Sequence, residues 1–340
     1  MSVSGLLRVL SPGLHTTVQD LGRFGYQDQG VPVAGMLDPV ALALANALVG
    51  NLPDEAGLEL HTLGPTLLVE ADSIGVAISG PARPSLTRDG DTRILECERG
   101  HTLRRGDRLA TGAVGGAAVA VLAVAGGFDL APVMGSLSTY VRAGIGPLNG
   151  RALEDGDLLP LRGGGGGEGD LALPHPFEYG SGPLRVVLGP QAGAFTDRAL
   201  ETFLSAEFTV GRDADRMGLR LEGPELAHRS GAGIASEGIV TGAVQVPGNG
   251  RPILLLADHQ TVGGYAKIAT VISADLPRAG RMAPGTRLSF RAVTVAEAAA
   301  ARRDLDGRVQ AAVGAIRPAA GGLDMAALYS ANLISGMVCE

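Results

Sequence analysis

At 340 residues, with 45% hydrophobic and 19% charged side chains, the chain is long enough for two globular domains that each bury a core. A net charge of −7, 4% aromatic residues and no Trp supply neither the basic groove nor the stacking platforms of a nucleic-acid binder. Residues 1–9 hold no apolar run of signal-peptide length, and glycines at 115, 116, 126 and 127 break the most hydrophobic stretch, 112–130, so no membrane span is expected and the expected address is cytoplasmic.

In chain order, the first clear element is a helix. Asp38 and Pro39 suit its N-cap and first turn, Val40, Leu44 and Leu48 form its apolar stripe, and Gly50 follows its end at Val49. Apolar, β-branched runs at 69–79 and 119–125 predict strands. The stretch 162–182, with five consecutive glycines at 163–167 followed by Pro174, Pro176, Gly180 and Gly182, reads as a linker or long surface loop. Beyond it come a strand at 184–188, a helix at 195–204 and strands at 251–257 and 267–273. Pro247, Gly248, Asn249 and Gly250 mark a hairpin turn within 244–257. A helix over 295–305 is expected to fray into an alanine-rich tail. Strand entries of the form Gly-Asp or Gly-Thr recur at Gly106, Gly156 and Gly285, in both halves. Many strands and few short helices predict a mostly-β chain of barrel-like domains: residues 1–165, residues 183–300, and a helical tail at 301–340.

Several chemistries lack their residues. The Gly-Lys-Ser/Thr of a Walker loop and the Gly-x-Ser-x-Gly of an α/β-hydrolase elbow do not occur. The six His form no His-x-x-x-His pair, and Cys97 and Cys339 have no metal-ligand spacing, so no metal site is expected. A biotin carrier places its Lys between Met residues; here Ala266 and Ile268 flank the Lys, so the chain is not expected to carry biotin.

Of 28 basic residues only Lys267 is lysine, which marks a position where a compact ammonium is needed, or an accident of an arginine-biased composition. Four stretches are denser in polar and glycine residues than a core requires. Thr16 to Tyr26 carries Asp20 and Arg23, which either bind an anion ahead of the helix or pair with each other. Asp215 to Pro224 carries Arg216, with Arg220 and Glu222 on one face of a strand, either at a site or simply solvated. Ser236 to Val240 is followed by Gln245. The fourth runs Asp258-His259-Gln260-Thr261-Val262-Gly263-Gly264-Tyr265-Ala266-Lys267, where glycines allow close approach to a ligand and Lys267 can meet a carboxylate or phosphate. His259 reads as an orienting or surface residue.

These stretches resemble the family of the bacterial 5-oxoprolinase C subunit, also known as allophanate hydrolase subunit 2, which is related to the carboxyltransferase part of urea amidolyase and to the antagonist of a sporulation-kinase inhibitor. The resemblance extends through Leu58-Glu59, Gly64-Pro65-Thr66-Leu67, 123–127, 135–146 and Gly189-Pro190-Gln191. It departs at Val262 and Ala266, where the family has Thr and Pro, at Glu237 for Asp, and at His259 for Arg or Cys. The resemblance implies two cyclophilin-like β-barrel domains with a cleft between them, and ATP-dependent opening of 5-oxo-L-proline to L-glutamate together with the A and B subunits of that enzyme. ATP is then the cofactor, bound by this chain or by a partner subunit; biotin enters only under a second reading, carboxyl transfer to a urea-like amide. A third reading is a non-catalytic antagonist of a kinase inhibitor. For the lactam reaction, Lys267, Asp258, Gln260 and Tyr265 are the expected catalytic residues. The expected substrate-binding residues are Asp20, Arg23, Arg216, Gln245, Thr261, Gly263 and Gly264. Lys267 and Arg216 would hold phosphate or carboxylate, and Asp258 with Gln260 or Tyr265 would orient or deprotonate the nucleophile.

Overall fold

The strand Val119–Val124 shows how the first half is built. All six of its residues are buried, because both of its faces meet other layers. Period-2 alternation sends Ala120, Leu122 and Val124 into a core shared with Leu7, Leu67 and Phe128, and turns Val121 and Ala123 onto Leu42 and Ala45 of the helix Pro39–Leu48. The computed structural model describes residues 5–163 and 170–319.

Two antiparallel sheets enclose the first core. A six-stranded sheet runs in the order 158–161, 5–11, 66–69, 108–110, 85–88, 91–94, and a five-stranded sheet in the order 15–19, 57–61, 119–124, 73–79, 100–104. The predicted strand at 69–79 is in fact two strands, Thr66–Val69 and Ser73–Ser79, in different sheets. The chain turns at Glu70–Asp72 and changes layer there, so one apolar run feeds two sheets.

The second half centres on an eight-stranded sheet in the order 287–288, 208–210, 218–222, 253–255, 243–245, 267–271, 184–188, 290–292. Its first and last strands, Arg287–Leu288 and Phe290–Ala292, are separated by Ser289 alone, whose carbonyl accepts a 2.8 Å hydrogen bond from the Leu184 amide. The two edges of the sheet therefore meet, and it curls into a nearly closed barrel. Phe195, Phe203, Phe208 and Phe290 fill it, with Phe203 stacked on Phe290 at 4.5 Å. The predicted hairpin is present: Ala243–Gln245 pairs antiparallel with Ile253–Leu255.

Local signals set the helix starts. Asp38 accepts from the Ala41 amide at 3.0 Å with Pro39 at the first position, as expected. The last helix corrects the reading of a frayed tail: it runs unbroken over Val295–Ala315. Leu305 is buried against Val40 and Leu44, with Val309 and Val313 packed alongside, and this docking holds the added turns. Of the expected tail, 320–340, with Cys339, lies outside the described residues.

The glycine-rich stretch is also more anchored than a free linker. Past residues 164–169, which are not described, Leu171–Ala172 pairs with Arg317–Pro318. Tyr179 donates to Asp38 at 2.6 Å, and the Arg281 guanidinium sits 4.1 Å over its ring while bonding Asp38 at 2.8 Å. Leu37 joins the second core, and the Ala118 amide donates to the Arg281 carbonyl. The chain is mostly β with few helices, and its two halves share a packed, polar-stapled interface.

Candidate functional site

Arg216 is the centre of that interface. Asp215 turns the chain into the strand Gly218–Glu222 by accepting from the Met217 amide at 2.8 Å, which leaves Arg216 pointing inward. Its Nε and Nη2 donate to the two Asp258 oxygens at 2.9 and 2.8 Å, Nη2 also meets the Gly35 carbonyl at 2.7 Å, and Nη1 donates to Glu59. Glu59 is wholly buried and takes further donors from the Leu37 amide at 2.7 Å and His61 Nε2 at 2.8 Å. Burial alone would raise the Glu59 carboxyl, but Arg216 and His61 hold it down at about 2. Burial works against the Arg216 charge too, and Glu59 and Asp258 outweigh it and push the guanidinium above its ordinary range. The result is a charged clamp between the halves that stays ionised.

A cleft of about 340 Å3 opens beside it, walled by His15, His61, Arg142, Arg216 and Asp258. It shares Arg142, Asp215 and Met217 with a neighbouring cavity of about 210 Å3 that reaches Gln245, Gln260 and Tyr265. The two form one groove.

The second polar cluster surrounds Lys267, at the start of the strand Lys267–Val271 and only 5% exposed. Its Nζ lies 2.6 Å from Glu237 Oε1, close in distance but not aligned as a hydrogen bond. Gln191 bridges the pair, donating to Glu237 at 2.8 Å and accepting from the Lys267 amide at 3.3 Å. Lys267 and Gln191 together hold the Glu237 carboxyl below its usual range. Gln245 is buried, and its Oε1 accepts from Gln260 at 3.3 Å. Its Nε2 finds no partner among the described residues. A buried amide donor left unmet costs about 1–3 kcal/mol, which a ligand acceptor in the groove would recover. Gly263 lies over this amide: a Cβ there would stand 2.8 Å from Gln245 Nε2 and 2.5 Å from Ile239 Cδ1. A side chain at 263 would make the ends of both these side chains shift, Gln245 Nε2 among them.

The sequence-predicted residues thus fall into separate places. Arg216 and Asp258 form one cluster; Gln245 and Gln260 form another, with Tyr265 on the groove wall. Lys267 pairs with Glu237 on the strand beside Gln245 and lines neither cavity. Thr261 is buried, its carbonyl accepting from the Ile239 amide, and Gly264 sits in the two-stranded ribbon of Gly233–Gly238 and Val262–Tyr265. Asp20 and Arg23 do not pair with each other. Asp20 accepts from Gly22, Ser136, Leu137 and Ser138, and Arg23 donates to the carbonyls of Val133 and Ser138. Both hold the loop 133–138, and neither lines the groove. Arg220 and Glu222 are exposed on their strand, and Arg220 also lines the smaller of the two cavities. His259 is buried rather than on the surface; its Nδ1 donates to the Gln260 carbonyl at 2.6 Å and its Nε2 meets Thr241 at 3.2 Å, so it orients the loop.

Sequence reasoning missed His15, His61, Arg142 and the role of Glu59. The available signal was Glu59 itself, a carboxylate between two leucines of the strand Gly57–His61 whose partner within that strand is the imidazole of His61 alone. Among the described residues no group of three or more His, Cys, Asp or Glu is placed to hold a metal, and no helix is long and apolar enough to cross a membrane.

Comparison with known proteins adds the relatives. The family described as "Carboxyltransferase domain, subdomain A and B" matches residues 29–292. The 5-oxoprolinase C subunit of Escherichia coli is 36% identical over 300 residues, 88% of this chain and 95% of that protein. Its Haemophilus influenzae counterpart is 33% identical, over 88% of this chain and 94% of that one. The crystal structure of the Kluyveromyces lactis urea amidolyase superposes with a TM-score of 0.80 at 27% identity, over 90% of this chain and 20% of that one.

Proposed function

We propose, from the premise that the chain belongs to the carboxyltransferase-domain family of subdomains A and B, that it is the C subunit of a cytoplasmic, ATP-dependent 5-oxoprolinase. Acting with the A and B subunits, it opens 5-oxo-L-proline to L-glutamate. The observation that carries this reading is the coverage: 95% of the 5-oxoprolinase C subunit is matched end to end, against 20% of a urea amidolyase.

A lactam resists water at neutral pH until its oxygen is activated, and ATP supplies that activation within the complex. The residues present fit the demand for cations and N–H donors around developing negative charge. In this reading the Lys267 ammonium and the unmet Gln245 amide receive an oxygen of the substrate or its phosphorylated form. Gln260 steadies Gln245, Tyr265 walls the groove, and Arg216 fixes the Asp258 carboxylate at its other end. Asp20 and Arg23 act at one remove, through the loop 133–138.

The urea amidolyase likeness favours a second reading, carboxyl transfer to a urea-like amide. Under it, biotin has to arrive on another protein, because the sole lysine of this chain is buried against Glu237. Co-purification with the A and B subunits, followed by glutamate release from 5-oxoproline with and without ATP, separates the two. Glutamate formed only with ATP supports the lactam reading; no glutamate from an assembled, ATP-supplied complex sinks it.

A further inference from the structure

Two imidazoles face the Arg216 cleft, and the lactam chemistry uses neither. His15 and His61 stand directly opposite each other on the paired strands His15–Gln19 and Gly57–His61, and their rings meet edge to face at 5.3 Å and 88°. Their situations differ. Glu59 is ionised, so it can only accept, and His61 must donate to it through Nε2. That bond fixes the His61 ring and its tautomer. The His15 ring is held against it, half-buried, and neither of its nitrogens has a hydrogen-bond partner among the described residues. A ring packed edge to face on its neighbour, with free nitrogens on the wall of the cleft, is arranged to meet something that enters it.

We propose that His15 is the proton-accepting group of this cleft, taking the proton from an O–H or N–H of the bound substrate. The transfer leaves an imidazolium on His15 and the electron pair on the donor atom. The inference rests on the groove being the reaction site. Its electrostatics suit the role. Burial first, then His61 and Arg216, hold the His15 ring below the ordinary histidine range, so at neutral pH the ring is neutral and free to accept a proton. Glu59 and Asp258 face it with the opposite sign and stabilise the imidazolium once formed; Arg142 and Asp215 complete the charged wall. A histidine that merely packed at a strand end would need none of this and would tolerate any polar residue of its size.

Two measurements test the proposal. In the isolated chain, the His15 ring resonance, assigned by its loss in His15→Gln, should titrate below the ordinary midpoint of about 6.5. It should also move when 5-oxoproline or glutamate is added. In the complex with the A and B subunits, His15→Gln should lower kcat by on the order of a hundredfold with KM little changed. The wild-type fall in rate on the acid side should vanish in the variant. A His15→Gln complex that matches wild type in rate and pH profile overturns the assignment. So does a resonance that titrates as an exposed imidazole or ignores both ligands, and this arm holds whether or not the complex turns over. A wild-type complex that releases no glutamate counts against the function, not against His15.

Discussion

Lys267 is the residue where composition and geometry coincide. It is the one lysine among 28 basic residues, and it sits buried with its ammonium 2.6 Å from Glu237. Arginine would keep the charge but replaces a compact ammonium by a planar fork, which cannot present its charge at the same point. Lys267→Arg should therefore fold and assemble as wild type and lose roughly a hundredfold in turnover. Near-native glutamate release by that variant would remove Lys267 from the site. Glu59 sets a stability test at the same scale. Its carboxyl is held at about 2, below its unfolded value, so the stabilisation is complete above about pH 4.3 and is lost as pH falls toward 2. The amount is roughly 3 kcal/mol. Denaturant midpoints compared at pH 7 and pH 3 should fall steeply for wild type and much less for Glu59→Gln. Equal slopes would mean that the Arg216 clamp does not carry the acid sensitivity.

At the scale of elements, two glycines give a matched pair. Gly280 ends the short helix Leu276–Gly280, and a Cβ there would lie 2.3 Å from the Leu37 carbonyl across the interface. Gly307 sits inside the helix Val295–Ala315, with nothing within 4 Å of where its Cβ would be. Gly280→Ala should cost about 1–3 kcal/mol by forcing the halves apart. Gly307→Ala should gain about 1 kcal/mol from helix propensity alone. Thermal melts of the two variants should move in opposite directions. The long helix also has a local start signal, since Thr294 and Glu297 bond each other's amides at 2.7 and 3.2 Å in a capping box.

For the whole molecule, the division into units 1–165 and 183–300 is a proposal with a direct consequence. The halves are stapled by Arg216 on Glu59 and by Arg281 on Asp38, so a cut in the connection should not release them. A protease site inserted within 164–169 and cleaved should leave both fragments co-eluting at neutral pH. Adding Arg281→Ala should weaken that association, because it strips the ion pair from a wholly buried Asp38. Fragments that separate without the mutation would show that the connection, not the interface, holds the molecule together.

What the sequence determined by itself is what local physics decides. The Asp38-Pro39 helix start, the strand Leu184–Leu188, the turn at Pro247–Gly250 and the glycine breaks all follow from capping, β-branching and turn chemistry within a few residues. The outlying position of Lys267 was legible from counting alone. The tertiary structure decided the rest. Whether 69–79 is one strand or two depends on which distant strands it pairs with, and whether the last helix frays depends on what Leu305 finds to pack against. Glu59 and Arg216 are 157 residues apart, and neither declares its partner in its own neighbourhood. His15 looked like a scattered histidine until the sheet set it opposite His61. A buried charge and a held imidazole are defined by their surroundings, and only the folded chain supplies those.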